Sequence, residues 1–270
     1  SGRPVTHDFF ANVHEVPHVR IGQQADLVVV APATANLLAK AAYGLADDLL
    51  TNTLLTAHCP VLMFPAMHTE MWEHPATRAN VATLRDRGVL VVDPDSGRLT
   101  GLDSGPGRLP EPEAIAWIVQ AALAKPGITH DLRFRHVVIR GGGTRERLDP
   151  GRDPGNRPRA QRAMALAAAA VSRGARVTLI RGDVDVPTPA GVEVIDALTA
   201  DEMLGAAREM AASADAIIMA AAIADFRAET LPDAKINESD SSTLTLDLVH
   251  NPDVLATLVG VLILGVLGKG

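Results

Sequence analysis

Two kinds of hydrophobic pattern alternate along this chain: short unbroken apolar runs, and longer stretches with one apolar face. In the first half, Asp26-Leu27-Val28-Val29-Val30-Ala31, Pro60 to Phe64 and Gly88-Val89-Leu90-Val91-Val92 read as buried strands. Helical segments separate them at Asn36 to Ala42, Asp47 to Ala57 and Pro75 to Arg87, with Pro75 suited to a first-turn position. A helix from about Glu111 to Ala124 closes this half, and Lys125-Pro126-Gly127 reads as a linker. The second half restarts with a strand, His136 to Arg140. A helix (about Arg159 to Arg173), a strand (Arg176 to Ile180), a helix (Thr199 to Ala212) and a strand (Ala216 to Ala220) follow. Such alternation predicts parallel sheets with helices on both faces. The expectation is two α/β domains, residues 1–125 and 126–270. The apolar stretch Val254 to Leu267 is shorter than the roughly 20 residues a membrane span needs, so it is expected to be a core helix or strand.

Composition narrows the partners. At 270 residues and 47% hydrophobic content the chain can build one or two cores. A net charge of -7 argues against nucleic acid. The single cysteine, Cys59, excludes a disulfide framework and fits a reducing cytoplasm. With no signal-peptide pattern at the start and no span, a cytoplasmic protein with no membrane partner is expected.

Five segments could carry chemistry. Pro65-Ala66-Met67-His68-Thr69-Glu70-Met71-Trp72 follows a strand, where α/β folds place ligands, and its methionines and Trp need a cover. A loop packed under a neighbouring helix explains that segment equally well. Ala31-Pro32-Ala33-Thr34-Ala35-Asn36 runs from a strand end into a helix start, where Thr34 or Asn36 can cap the helix and its free N–H groups offer an anion site. His18 stands alone before the first clear strand, as surface and structural histidines also do. Asp103-Ser104-Gly105-Pro106-Gly107-Arg108 is a rigid turn ending in a guanidinium, and turn chemistry alone accounts for its Gly and Pro. Gly141-Gly142-Gly143-Thr144-Arg145-Glu146 follows a strand, where backbone amides cradle phosphates. It has neither the GxGxxG nor the GxxxxGK[ST] spacing.

Taken in order, these segments resemble the bifunctional coenzyme A biosynthesis proteins that join phosphopantothenoylcysteine decarboxylase to phosphopantothenate–cysteine ligase. The matching pieces also include Ala46-Asp47-Asp48-Leu49-Leu50, Asp149-Pro150, Asn156-Arg157, Ala221-Ala222-Ile223-Ala224-Asp225, Lys235-Ile236 and Asn251-Pro252-Asp253. The resemblance implies a flavodoxin-like flavoprotein half followed by a Rossmann-like ligase half. It implies FMN in the first half, where the substrate thiol is oxidised, CO2 is lost and the flavin returns the electrons. His18 is then the catalytic histidine; Thr34, Ala35, Asn36, Leu37 and Ala66 contact the flavin. Met67, His68, Met71 and Arg108 serve the substrate, phosphopantothenoylcysteine. In the second half it implies CTP, with Mg2+ on the triphosphate, activating phosphopantothenate for attack by cysteine. There Gly142, Gly143, Met219, Ala220, Ala221, Asp225 and Lys235 match nucleotide-site positions, as do Asn251, Pro252, Asp253 and Val254; Asn156 matches one tied to the acyl intermediate. A homo-oligomer is implied, because flavin sites in the family lie between subunits.

The chain departs from the family in four places. His68 stands where Asn is common. Thr100-Gly101-Leu102-Asp103 replaces Ala-Cys-Gly-Asp, and Gly101 has no proton to give, which makes His68 the candidate acid. Asn156-Arg157-Pro158-Arg159-Ala160-Gln161 replaces Asn-Arg-Ser-Ser-Gly-Lys, and Lys235-Ile236-Asn237-Glu238 replaces Lys-Ile-Lys-Lys. The family also begins with a strand and phosphate loop that would precede Ser1, and continues to a lysine-bearing loop beyond this chain. Two other readings stand beside a truncated bifunctional enzyme: a flavin-dependent cysteine decarboxylase of a peptide or natural product, and an inactive partner subunit.

Overall fold

The computed structural model describes residues 17–99, 104–124, 130–144, 157–220, 226–229, 247–252, 258 and 262–265. The chain divides into two compact units, Ser1–Asp131 and Leu132–Gly270.

The first unit is built on a parallel sheet ordered β1 (Val28–Ala33), β2 (Val61–Pro65), β3 (Leu90–Val91). Val, Leu, Met and Phe fill β2, and Leu62, Met63 and Phe64 are all but inaccessible. Each such side chain contributes about 2 kcal/mol by leaving water. Helix α2 (Ala35–Tyr43) follows β1, and α3 (Leu49–Thr56) leads into β2. After β2 come the short α4 (Thr69–Glu73) and α5 (Pro75–Asp86), where Pro75 takes the first-turn position expected of it. Leu38 and Ala42 of α2 and Val81 and Leu84 of α5 pack on Val30, Met63 and Val91 as one core. A two-stranded antiparallel hairpin, β4 (Asp95–Arg98) and β5 (Ser104–Arg108), precedes α6 (Pro112–Ala124). The pattern of residues missed α1 (Pro17–Gln24), α4 and this hairpin, and it gave β3 five residues where two pair.

The second unit holds five parallel strands: β6 (His136–Gly141), β7 (Arg176–Arg181), β8 (Val192–Asp196), β9 (Ala216–Met219) and β12 (Leu262–Gly265). They lie in the order β12-β9-β6-β7-β8. The chain therefore starts in the middle, builds outward through β7 and β8, and returns to the other side for β9. Helix α7 (Arg157–Ser172) links β6 to β7, and α8 (Ala200–Ala211) links β8 to β9. Met203, Leu204 and Ala207 of α8 pack on Val138, Ile180 and Ile217. Strands β10 (Phe226–Ala228) and β11 (Leu248–His250) form a separate antiparallel pair. The apolar C-terminal stretch contributes β12, a strand as one alternative had it. The stretch also reaches the core: Leu258 is buried in the cluster with Val138 and Ile217, and Ile263 packs against it, while Leu262 and Leu264 of β12 are exposed.

Candidate functional site

In the first unit, the segments singled out above converge at the carboxyl ends of β1 and β2. The Ala66 N–H donates to the Ala33 carbonyl at 3.2 Å, so both chains leave the sheet side by side. Thr34 stays extended (φ -76°, ψ 161°), and its Oγ1 accepts from the Leu37 N–H at 3.3 Å. Thr34, not Asn36, is thus the cap; Asn36 is left exposed on the opening turn of α2. Lys40 on the same helix reaches Asp47 at 2.7 Å, and the Thr51 N–H bond to the Asp48 carboxylate holds that carboxyl below its usual range. These contacts fix the loop from Leu45 to Asp48.

The loop after β2 is docked on β5. The Met67 N–H donates to the Gly107 carbonyl at 3.0 Å. Gly107 has φ 147°, and a Cβ there would drive into the Met67 carbonyl oxygen; a Cβ at Gly105 would lie 2.5 Å from Thr69 Oγ1. Only glycines let the hairpin come this close. Among the described residues Thr69 Oγ1, which is buried, has no hydrogen-bond partner. Trp72 is buried beneath Arg78, whose guanidinium lies 4.8 Å from the ring centroid. Met71 stays half-exposed, and His68 is exposed with its Nδ1 3.7 Å from Glu70 Oε2. So one part of this loop is covered and the other faces out. Arg108 pairs with Glu111 on the outer side of β5, and burial raises the Asp95 carboxyl beside it.

Ala35, Glu70, Met71, His74 and Thr77 line a shallow pocket of about 350 Å³. Glu70 lay in the segment singled out after β2, whereas His74 and Thr77 were not in the sequence reading. The signal open to the sequence was Pro75 at a first turn, which makes His74 the cap position and puts Thr77 in the opening turn of α5. The pocket has the apolar surface of Ala35 and Met71 with a few polar groups, at the lower end of the sizes that take small ligands. His18 is held differently: its carbonyl accepts from Thr56 Oγ1 at 2.9 Å, against the last turn of α3. That contact lies near the helix feeding the amino end of β2, whereas the other first-unit residues follow the carboxyl ends.

In the second unit, Gly142 and Gly143 follow β6, and Met219 ends its neighbour β9. The Ala220 N–H donates to the Arg140 carbonyl at 3.1 Å. The strand order reverses between β6 and β9, and ligands in open α/β sheets bind outside the carboxyl ends at such a switch point. Gly142 has φ 88° and packs on Gly182 and Val184, whereas nothing lies within 4 Å of a Cβ placed on Gly143. The Gly182 N–H bond to the Gly141 carbonyl (2.8 Å) and the Asp183 N–H bond to the Gly143 carbonyl (3.1 Å) pin the loop. Arg140, just below, is buried, and burial pushes its guanidinium down to about 10, still charged at neutral pH. Asn251 accepts from Arg227 at 2.9 Å, and Arg227 also approaches Asp201 on the first turn of α8 at 3.7 Å. Pro252 follows, partly buried. Asn156, Ala221, Asp225, Lys235, Asp253 and Val254 lie outside the described residues, as does the segment from Thr100 to Asp103. Among the described residues no group of three His, Cys, Asp or Glu is placed to hold a metal. No described helix is long and apolar enough to cross a membrane.

Each unit matches a family model of its own. Residues 3–124 match the Flavoprotein family, and residues 132–262 match the DNA/pantothenate metabolism flavoprotein C-terminal domain. The chain is 54% identical over 261 residues to the coenzyme A biosynthesis bifunctional protein CoaBC of Mycobacterium bovis, covering 96% of this chain and 62% of that protein. To the Escherichia coli protein of the same description it is 40% identical over 260 residues, 95% of this chain and 63% of that one. The chain thus spans about three fifths of the length of these curated relatives. Among solved structures, the C-terminal domain of CoaBC is similar at 28% identity and a TM-score of 0.41, covering 48% of this chain and 60% of that chain.

Proposed function

We propose that the first unit is the FMN-dependent decarboxylase half of a coenzyme A biosynthesis protein, acting on phosphopantothenoylcysteine. We also propose that the second is a Rossmann-like ligase half that joins phosphopantothenate to cysteine with CTP. The observation that carries the reading is the convergence of Thr34–Leu37 with Ala66–Met67 at the carboxyl ends of β1 and β2, locked to Gly105-Pro106-Gly107 by the Met67–Gly107 bond. These are the same segments that carry the sequence resemblance, and their contact supports a common site.

Thr34, Ala35, Asn36, Leu37 and Ala66 would hold FMN, which supplies the reversible two-electron oxidation that makes loss of CO2 from the cysteinyl carboxyl feasible. Met67 and Met71 offer the substrate an apolar, adaptable surface. His68, exposed beside Glu70, would hold the substrate carboxylate or return a proton. His18 takes the oxidative step by resemblance, within a homo-oligomer. In the second unit, Gly142, Gly143, Met219 and Ala220 flank the switch point, and the strand order with β6 central supports a nucleotide there. Ala221, Asp225, Lys235, Asp253, Val254 and Asn156 complete that site by resemblance, with Mg2+ on the triphosphate. Such a protein would work in the cytoplasm.

Competition between substrates tests the reading. The FMN-loaded chain should release CO2 from phosphopantothenoylcysteine in preference to a peptide ending in cysteine. A preference for the peptide would overturn the substrate assignment and leave a peptide-directed decarboxylase.

A further inference from the structure

We infer that His74 binds the flavin directly, through a hydrogen bond from its Nε2–H to an acceptor oxygen on the ring edge seated in the pocket of the first unit. The inference rests on the FMN reading above.

His74 sits at the junction of α4 and α5, ending one and capping the other. Its Nδ1 accepts a hydrogen bond from the Ala76 N–H at 3.1 Å. A neutral imidazole whose Nδ1 lone pair is engaged carries its proton on Nε2, so the second nitrogen is a donor only. The cap also fixes the ring: turning it over would leave an N–H of the first turn of α5 without its acceptor. The donor is therefore oriented before any ligand arrives, which limits the entropy lost on binding.

The surroundings specify what such a donor can meet. His74 lines the same pocket as Ala35, the first residue of α2, and Met71, half-exposed on α4. Ala35 and Met71 present apolar surface to a flat ring. Glu70, when ionised, can only accept; Thr77, largely buried, carries a hydroxyl that can donate. The pyrimidine edge of a flavin presents carbonyl oxygens on either side of an N–H, so the His74 donor has an acceptor to meet there and Thr77 can supply a second donor. A phosphate or carboxylate would instead meet the Glu70 carboxylate at close range.

Two substitutions separate the cap from the donor. His74→Asn keeps an excellent N-cap acceptor and removes Nε2; His74→Ala removes both. FMN is titrated into the full chain by quenching of flavin fluorescence, with the absorbance envelope recorded at saturation and melting followed without FMN. His74→Asn should melt like the wild type, weaken FMN binding about five- to tenfold and shift the flavin envelope. His74→Ala should bind as weakly and also melt lower. Equal FMN affinity and spectrum in His74→Asn and wild type would overturn the inference alone. Affinity that falls only in step with melting would do so too, showing a purely structural cap. A wild-type chain that takes no FMN would overturn both this and the reading it rests on.

Discussion

Replacing Gly107 by Ala attacks the contact on which the proposed decarboxylase site depends. The backbone at Gly107 has φ 147°, a conformation that side-chain-bearing residues rarely adopt, and its new Cβ would overlap the Met67 carbonyl oxygen. Neither group is the flexible end of a side chain, so β5 and the loop after β2 must move apart. The Met67–Gly107 hydrogen bond is lost, about 1 kcal/mol, and residual backbone strain adds about 1–3 kcal/mol, giving roughly 2–4 kcal/mol. Gly88→Ala is the control: φ is 85° there, but nothing lies within 4 Å, so only the conformational penalty of about 1–2 kcal/mol applies. For a unit spanning Ser1–Asp131 a loss of 1 kcal/mol lowers the melting temperature by about 3–5 °C. Gly107→Ala should therefore melt about 6 °C or more below wild type, and clearly below Gly88→Ala. FMN titration should show weakened binding in Gly107→Ala and wild-type binding in Gly88→Ala. Equal melting of the two variants, with FMN affinity intact in both, would refute the claim that the hairpin holds the site together.

Three further outcomes are expected. Thr34→Ala should destabilise the first unit by about 1 kcal/mol through loss of the α2 cap, whereas Asn36→Ala should leave melting unchanged and act only on FMN affinity, read by titration. Gly142→Ala, with φ 88° and a Cβ 2.6 Å from Val184, should lower the stability of the second unit by about 2 kcal/mol and weaken CTP binding, read by calorimetry. The carboxyls of Asp48, Asp196 and Asp215 are held below their ordinary range, by the Thr51 N–H, the Arg181 guanidinium and the His136 N–H respectively. Because their folded values are depressed, this stabilisation is present in full above the ordinary carboxylate range and is lost as pH falls through the folded values. Denaturant midpoints should fall below about pH 4, and less steeply with pH in Asp215→Asn than in wild type.

Much of this was legible in residues whose local chemistry agrees with their tertiary setting. Thr34 before an apolar periodic run and Pro75 at a first turn are start signals that depend on neighbours a few positions away, and both helices begin there. Apolar runs such as Val61 to Phe64 have no role except a buried parallel strand. Segments whose structure is set by distant partners were not legible. Ser104-Gly105-Pro106-Gly107-Arg108 has the composition of a turn, and it pairs as a strand because β4 and the Met67 loop lie against it. Leu262 to Gly265 has the composition of a core, yet it lies at a sheet edge because the chain passes β6 before adding β9 and β12. His74 was overlooked because a histidine before proline reads as a loop; only the bond from the Ala76 N–H shows that its ring is fixed. The resemblance named the matched residues, but which of them meet had to come from the fold.

The most direct test is to load the full chain with FMN, add phosphopantothenoylcysteine and measure the CO2 released in a single turnover, beside the same chain carrying His18→Asn. The account predicts FMN-dependent release from the wild type and none from His18→Asn that still holds FMN. A wild-type chain that holds FMN and releases no CO2, or equal release from both, would contradict it.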